Sequence, residues 1–232
     1  MRISPEAVYQ EVYRRVRRHG NGAMKDTQED LRPYLPRRHT RRAKKGFRSA
    51  QKLERKTRIP SIETRPPVVN TRSRIGDWED DTVVSRESLV RIKSTNERRS
   101  GIVLFRKAKD GTAEECDSAL TKALGVIPEE YRLTLTRDRG KENVRHDEVQ
   151  TTLGFVEGVF FAHPYSSHER GSNENSNGLL RRFYPKKTDW NDVSEEDLMK
   201  AEYLINTRPR KRHGGLSPVE VFFRDTGVAL YS

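Results

Sequence analysis

From Ile75 onward the chain alternates short apolar runs with capped amphipathic segments, and that order leaves few architectures open. Residues 75–84 (IGDWEDDTVV), 89–93 and 101–106 (GIVLFR) read as three strands joined by polar turns. Thr112-Ala113-Glu114-Glu115 has the spacing of a capping box. It opens a helix with Cys116, Ala119, Leu120, Ala123 and Leu124 on one face. Residues 131–136 alternate as a fourth strand, 141–153 form a helix, and 159–162 form a short fifth strand. Further helices start at Ser172 or Asn173, at Ser194 and at Ser217. Three strands in a row suit an antiparallel meander, and strands separated by helices suit parallel addition. The expected fold class is α/β, a mixed five-stranded sheet flanked by helices.

The first 75 residues differ in kind. They hold 21 Lys and Arg against 7 Asp and Glu, whereas residues 76–232 hold 25 against 27. The net charge of +12 therefore sits on an N-terminal arm. Residues 1–18 read as one helix, begun by Ser4-Pro5-Glu6 and striped by Val8, Val12 and Val16. Residues 37–58 carry eleven Lys or Arg and one acid, Glu54, with no apolar pattern, which is the composition of a linker that orders only on a partner. Pro60, Pro66 and Pro67 stiffen the approach to the next unit. The expected boundaries are a helix over 1–20, a basic linker over 21–72 and a folded domain over 73–232. A basic arm without an apolar face points to nucleic acid rather than to a bilayer.

Several chemistries are disfavoured. The single cysteine, Cys116, allows no internal disulfide and no thiolate zinc site, and its place on an apolar helix face marks it as core. The histidines show no H-E-x-x-H spacing, and there is no phosphate-cradling glycine loop and no nucleophile elbow. No window approaches the length of an apolar membrane span and no signal peptide opens the chain, so a cytoplasmic protein is expected.

Three acids stand out by position. Asp81 lies on the first strand, Asp138 at the end of the fourth, and Glu174 in the first turn of the helix after the fifth. Strand ends and helix starts are where α/β sheets gather their chemistry, although they also carry acids for structural reasons alone. Carboxylates from separate elements are a donor set for two divalent cations, hard ions that take oxygen ligands and flank a phosphoryl group.

Four blocks, IGDWEDDTVV, LTRDRGKEN, FAHPYSSHERGSNENSNGLLRRFYPKK and LINTRPRKRHGGLSPVEVF, resemble in that order the core of the IS-thirty group of bacterial insertion-sequence transposases. The resemblance implies a ribonuclease-H-like fold whose catalytic and metal-binding triad is Asp81, Asp138 and Glu174, with two Mg²⁺ ions or Mn²⁺ in their place. It implies a DDE transposase that cleaves DNA at the terminal inverted repeats of an element, then joins the freed 3′-OH to target DNA, as a homodimer or larger assembly on that DNA near the nucleoid. It also implies that the first helix is the end of a helix-turn-helix region. Rival expectations are a truncated DNA-binding remnant without catalysis and a general ribonuclease-H-like nuclease. Candidate DNA contacts are Lys141, Arg170, Asn173, Asn177, Arg181 and Arg182, with Arg37, Arg38, Arg41, Arg42, Lys44 and Lys45 of the arm. The chain departs from the family pattern where Asp80 replaces Gly, Asn143 replaces Phe, His168 replaces Trp and Gly215 replaces an aromatic residue. Asp80 and Asp81 must point to opposite faces of a strand, which leaves Asp81 for the site.

Overall fold

The structure is a computed structural model that describes residues 3–17, 23–35, 59–163 and 171–231. It divides into two units, Met1–Arg58 and Ile59–Ser232.

In the first unit, helix α1 spans Pro5–Arg14. The Ser4 hydroxyl oxygen accepts the Ala7 N–H at 3.2 Å, and Pro5 occupies the first turn, where its missing N–H costs nothing. The helix is shorter than the stripe predicts. The Arg15 and Val16 N–H groups bond back to Val12 and Tyr13, and Val16 then bridges to Met24. Extending the helix would stack Arg14 one turn from Arg17 and Arg18, and like charges at that spacing disfavour it. Turning back instead buries Val16 with Val12 and Tyr13 while Val8 stays exposed. The expected boundary after residue 20 lies outside the described residues. The basic stretch over 37–58 lies outside the described residues.

The second unit is built on one sheet. Strands β1 (Asp77–Val84), β2 (Arg91–Glu97) and β3 (Val103–Ala108) form an antiparallel meander. Strands β4 (Thr134–Arg137) and β5 (Gly158–Phe161) join in parallel on the other side of β1. The order is β3-β2-β1-β4-β5, the mixed sheet that the order of elements predicts.

This unit begins at Ile59 rather than at residue 73. Pro60 accepts the Phe161 N–H at 2.9 Å, Ser61 bridges to Phe161, and Val69 is fully buried in a short helix, α2 (Val68–Thr71). Arg65, also buried, donates to the Thr136 hydroxyl at 2.8 Å. Prolines that read as a stiff tether therefore run along the sheet, where a carbonyl can accept even though proline has no N–H to give.

Alternation along the strands sorts two cores. On one face Trp78, Leu104 and Leu135 meet α3 (Ala113–Leu124) and α4 (His146–Leu153), with Trp78 Nε1 donating to the Tyr131 carbonyl at 2.8 Å. Thr112 caps α3, and Cys116 is buried there with its thiol pKa raised by desolvation. On the other face Val83, Ile92 and Phe105 meet α5 (Gly171–Phe183) and α6 (Glu195–Asn206). A final helix, α7 (Pro218–Thr226), starts at a complete Ser217–Glu220 capping box. Side chains of α6 serve the outer edge of β3: Asn206 takes the Val103 N–H at 2.9 Å and gives to its carbonyl at 2.7 Å, and Glu202 takes the Phe105 N–H at 2.6 Å.

Candidate active site

Asp80 and Asp81 are adjacent on β1 and take opposite faces, as a pleated strand requires. Asp80 is fully buried on the α3 face. Its Oδ2 accepts from Lys93 Nζ at 2.8 Å and Arg137 Nε at 3.0 Å, and Arg137 reaches on to Asp117 at 2.9 Å. Burial raises the Asp117 pKa, opposed by the Arg137 charge. Asp81 is half-buried on the α5 face, where Asn177 Nδ2 donates to its Oδ2 at 2.7 Å.

Strand β4 runs parallel to β1 with Glu79 opposite Thr136. Asp81 lies two residues beyond Glu79, and Asp138 two residues beyond Thr136. Asp138 sits just past the end of β4 and its Oδ1 is gripped by the Gly140 N–H at 3.0 Å and by Asn143 Nδ2 at 2.6 Å. Asn143 is buried. In place of an apolar packing residue, it holds the candidate carboxylate through a hydrogen bond.

Helix α5 lies across β1 and β2, fixed by polar contacts at its start. Buried Glu79, which is ion-paired to Arg98, accepts the Ser172 N–H at 3.1 Å and the Asn173 N–H at 3.4 Å. A carboxylate at a helix N-terminus complements the macrodipole and satisfies otherwise orphaned N–H groups. Asn96 on β2 bonds both Asn173 and Ser176. Glu174 stands in the first turn, exposed, one turn before Asn177. Among the described residues no group of three or more His, Cys, Asp or Glu stands close enough together to hold a metal ion. Asp81 faces α5, Asp138 lies past the end of β4 and Glu174 stands in the first turn of α5, and the three do not close into a cage. Like charges repel, and Asn177 and Asn143 hold two of them on separate elements.

The candidate DNA contacts divide. Arg182 is exposed on α5. Asn173 is turned inward and buried against Asn96, so it presents no surface to a base or phosphate. Arg181 is tied to the sheet: it donates to the Val84 carbonyl at 2.7 Å and lies 5.3 Å from the Trp190 ring centre. Asn177 is engaged with Asp81. Lys141 belongs to a 3₁₀ turn, Lys141–Asn143. Arg170, His168, Arg37, Arg38, Arg41, Arg42, Lys44 and Lys45 lie outside the described residues. Sequence reasoning missed Glu79, Arg98, Asn96 and Asn143. Glu79 was within reach, since it alternates with Asp81 and a second acid on one buried strand face demands a partner.

The meander of three strands with two parallel additions, and carboxylates on β1, after β4 and on the helix after β5, define a ribonuclease-H-like fold. Two solved structures share it at a TM-score of 0.50. The catalytic core domain of BIV integrase matches at 20% identity, over 64% of this chain and 94% of that one. A chain of the simian T-cell lymphotropic virus intasome in complex with PP2A regulatory subunit B56 gamma matches at 19%, over 68% and 57%. No family model matches. The chain is 34% identical over 220 residues to the transposase for insertion sequence element IS4351 of Bacteroides fragilis, covering 95% of this chain and 64% of that protein. It is 38% identical over 171 residues to the transposase for IS1086 of Cupriavidus metallidurans, covering 72% and 50%. It is 35% identical over 234 residues to the transposase InsI for IS30C of Escherichia coli, covering 99% and 57%. The chain spans between one half and two thirds of the length of these relatives. Over that span it belongs to the IS30 family of insertion-sequence transposases.

Proposed function

We propose that residues 59–232 are the catalytic core of a DDE transposase, acting on the ends of an insertion sequence and on target DNA. The observation that supports this reading is Asp81 held by Asn177 of the helix that bears Glu174, with Asp138 just past the end of the neighbouring parallel strand β4. The donor set is all oxygen, which suits Mg²⁺ or Mn²⁺. Two such ions, held by Asp81, Asp138 and Glu174, would supply the charge that in-line phosphoryl transfer needs. Asn177 and Asn143 orient the two aspartates, and Glu174, exposed at the helix start, is placed to complete the set when DNA and cation arrive. Arg182, Lys141, Arg170 and the arm residues Arg37, Arg38, Arg41, Arg42, Lys44 and Lys45 supply cations for the DNA backbone. Bridging two element ends calls for two or more copies on the DNA, in the cytoplasm at the nucleoid. No helix among the described residues is long and apolar enough to cross a membrane.

The test is strand transfer by the purified chain with Mg²⁺, beside Asp138→Asn. Activity that vanishes in the variant is expected, and equal activity in both would sink the reading. Preference for an RNA–DNA hybrid over duplex DNA would redirect it to a general nuclease.

A further inference from the structure

The fourth sequence block, LINTRPRKRHGGLSPVEVF, takes no part in the site above. It folds back after α6 and closes on itself, the Arg210 N–H bonding Leu216 at 2.9 Å and the Gly215 N–H bonding Arg210 at 3.2 Å. This loop docks on the β2–β3 turn, at the end of the sheet where β1 begins. His213 Nε2 lies 2.8 Å from the Ser100 carbonyl. The Arg212 guanidinium lies over Gly101, whose φ of +77° already favours glycine, and a Cβ there would collide with it.

The docking gathers cations from three parts of the chain. Arg72 follows α2, Arg98 and Arg99 form the hairpin turn, and Arg210 and Arg212 come from the loop. The hairpin reaches α2 directly, Arg98 Nε donating to the Val69 carbonyl at 3.1 Å. Desolvation, then Arg72, Arg210 and Arg99, lower the Arg212 pKa. Desolvation, then Arg65 and Arg72, bring Arg98 down to about 10. Acids lie nearby, and Glu97 opposes the lowering at Arg212. Glu79 is committed to Arg98 and to the start of α5. Glu97 is buried with its pKa raised to about 7. Asp225 sits 3.6 Å from Arg99 and is shared with Arg224. Mutually repelling guanidinium groups, held in place by backbone contacts and half open to solvent, are what a row of phosphates would neutralise.

We infer that Arg72, Arg99, Arg210 and Arg212 form a second binding site, for backbone phosphates of duplex DNA, at the hairpin end of the sheet. It rests on the reading of the chain as a DNA-acting protein. Through Arg98 and Glu79 it adjoins the start of α5, so a duplex reaching Glu174 continues over the hairpin.

The experiment is fluorescence anisotropy of a labelled duplex of arbitrary sequence against the full chain in EDTA, across a salt series. Arg72→Gln and Arg212→Ala are each expected to weaken binding several-fold and to flatten the slope of log K against log salt by about 0.9 for each phosphate no longer neutralised. Arg212→Lys should keep most of the slope, and Lys122→Ala, a charge removed from exposed α3 surface, sets the baseline. Thermal melts verify folding, and if Arg212→Ala does not fold, Arg72→Gln carries the test. Slopes equal to the Lys122→Ala baseline, or no duplex binding by the unaltered chain, overturn the inference. Displacement by inorganic phosphate beyond that by chloride at equal ionic strength also overturns it, in favour of a free-anion site. Because metal is absent, binding is read apart from cutting, and a chain that binds in EDTA but fails strand transfer with Mg²⁺ refutes the transposase reading and leaves this one standing.

Discussion

The two faces of the central strand treat neighbouring carboxylates in opposite ways. On the α3 face Asp80 is sealed from water and neutralised by Lys93 and Arg137, amid an apolar core. On the α5 face Asp81 stays half-open and is held by the carboxamide of Asn177. The first arrangement spends its charge on internal pairing. The second fixes a carboxylate without burying it, through a carboxamide donor. One strand thus separates a structural acid from a candidate catalytic one by the pleat alone.

The sharpest way to break this contrast is to remove each acid. Asp80→Ala leaves two cations buried without their shared anion and should cost about 3–5 kcal/mol in urea unfolding. Asp81→Ala should cost less than about 1 kcal/mol while abolishing strand transfer. Comparable stability losses for the two would erase the distinction.

A second test uses pH. Glu97, which faces the α3 side beside Trp78 in the register, has its pKa raised by burial to about 7, against the bonds from Ser100, Arg99 and Gly76 that lower it. A carboxyl raised in the folded state contributes stability that is full below its unfolded pKa of about 4.3 and is lost as pH rises through 7. Urea unfolding should therefore show on the order of 3 kcal/mol less stability from this group at pH 8 than at pH 4. Glu97→Gln should flatten that part of the profile, and an unchanged profile would remove Glu97 as its source.

Smaller effects sharpen the α5 side. Asn177→Leu and Asn143→Leu remove donors behind Asp81 and Asp138, and each should weaken Mn²⁺ binding by calorimetry about 10–100-fold. Thr112→Ala at the start of α3 should cost about 1 kcal/mol and leave Mn²⁺ affinity unchanged, because α3 carries none of the site.

Local signals explain what the sequence made legible. Strand runs, capping residues at Thr112, Ser194 and Ser217, and the switch from consecutive strands to strands parted by helices foretold the sheet and its order. The placement of Asp81 opposite Asp80 needed only the two-residue period. Partners far apart in the chain stayed hidden. Nothing local links Glu79 to Arg98, or Arg65 to Thr136, and proline-rich residues 60–67 carry no pattern that tells a tether from a sheet border. Asn143 was read by what it replaces, a packing residue, when its amide serves Asp138. Asn173 and Arg181 looked like surface groups on a polar helix, but the surface they face is the sheet's own.

The side chains along β3 have a wider consequence. An uncovered strand is a template on which another chain can lengthen a sheet, the first step of aggregation. Asn206 and Glu202 occupy the positions that a sixth strand would take, and on the far border Pro60 does the same for Phe161. A second copy is therefore steered toward helices and loops and away from strand-to-strand growth. Proteins that must crowd together on one stretch of DNA without precipitating would gain from such a guard.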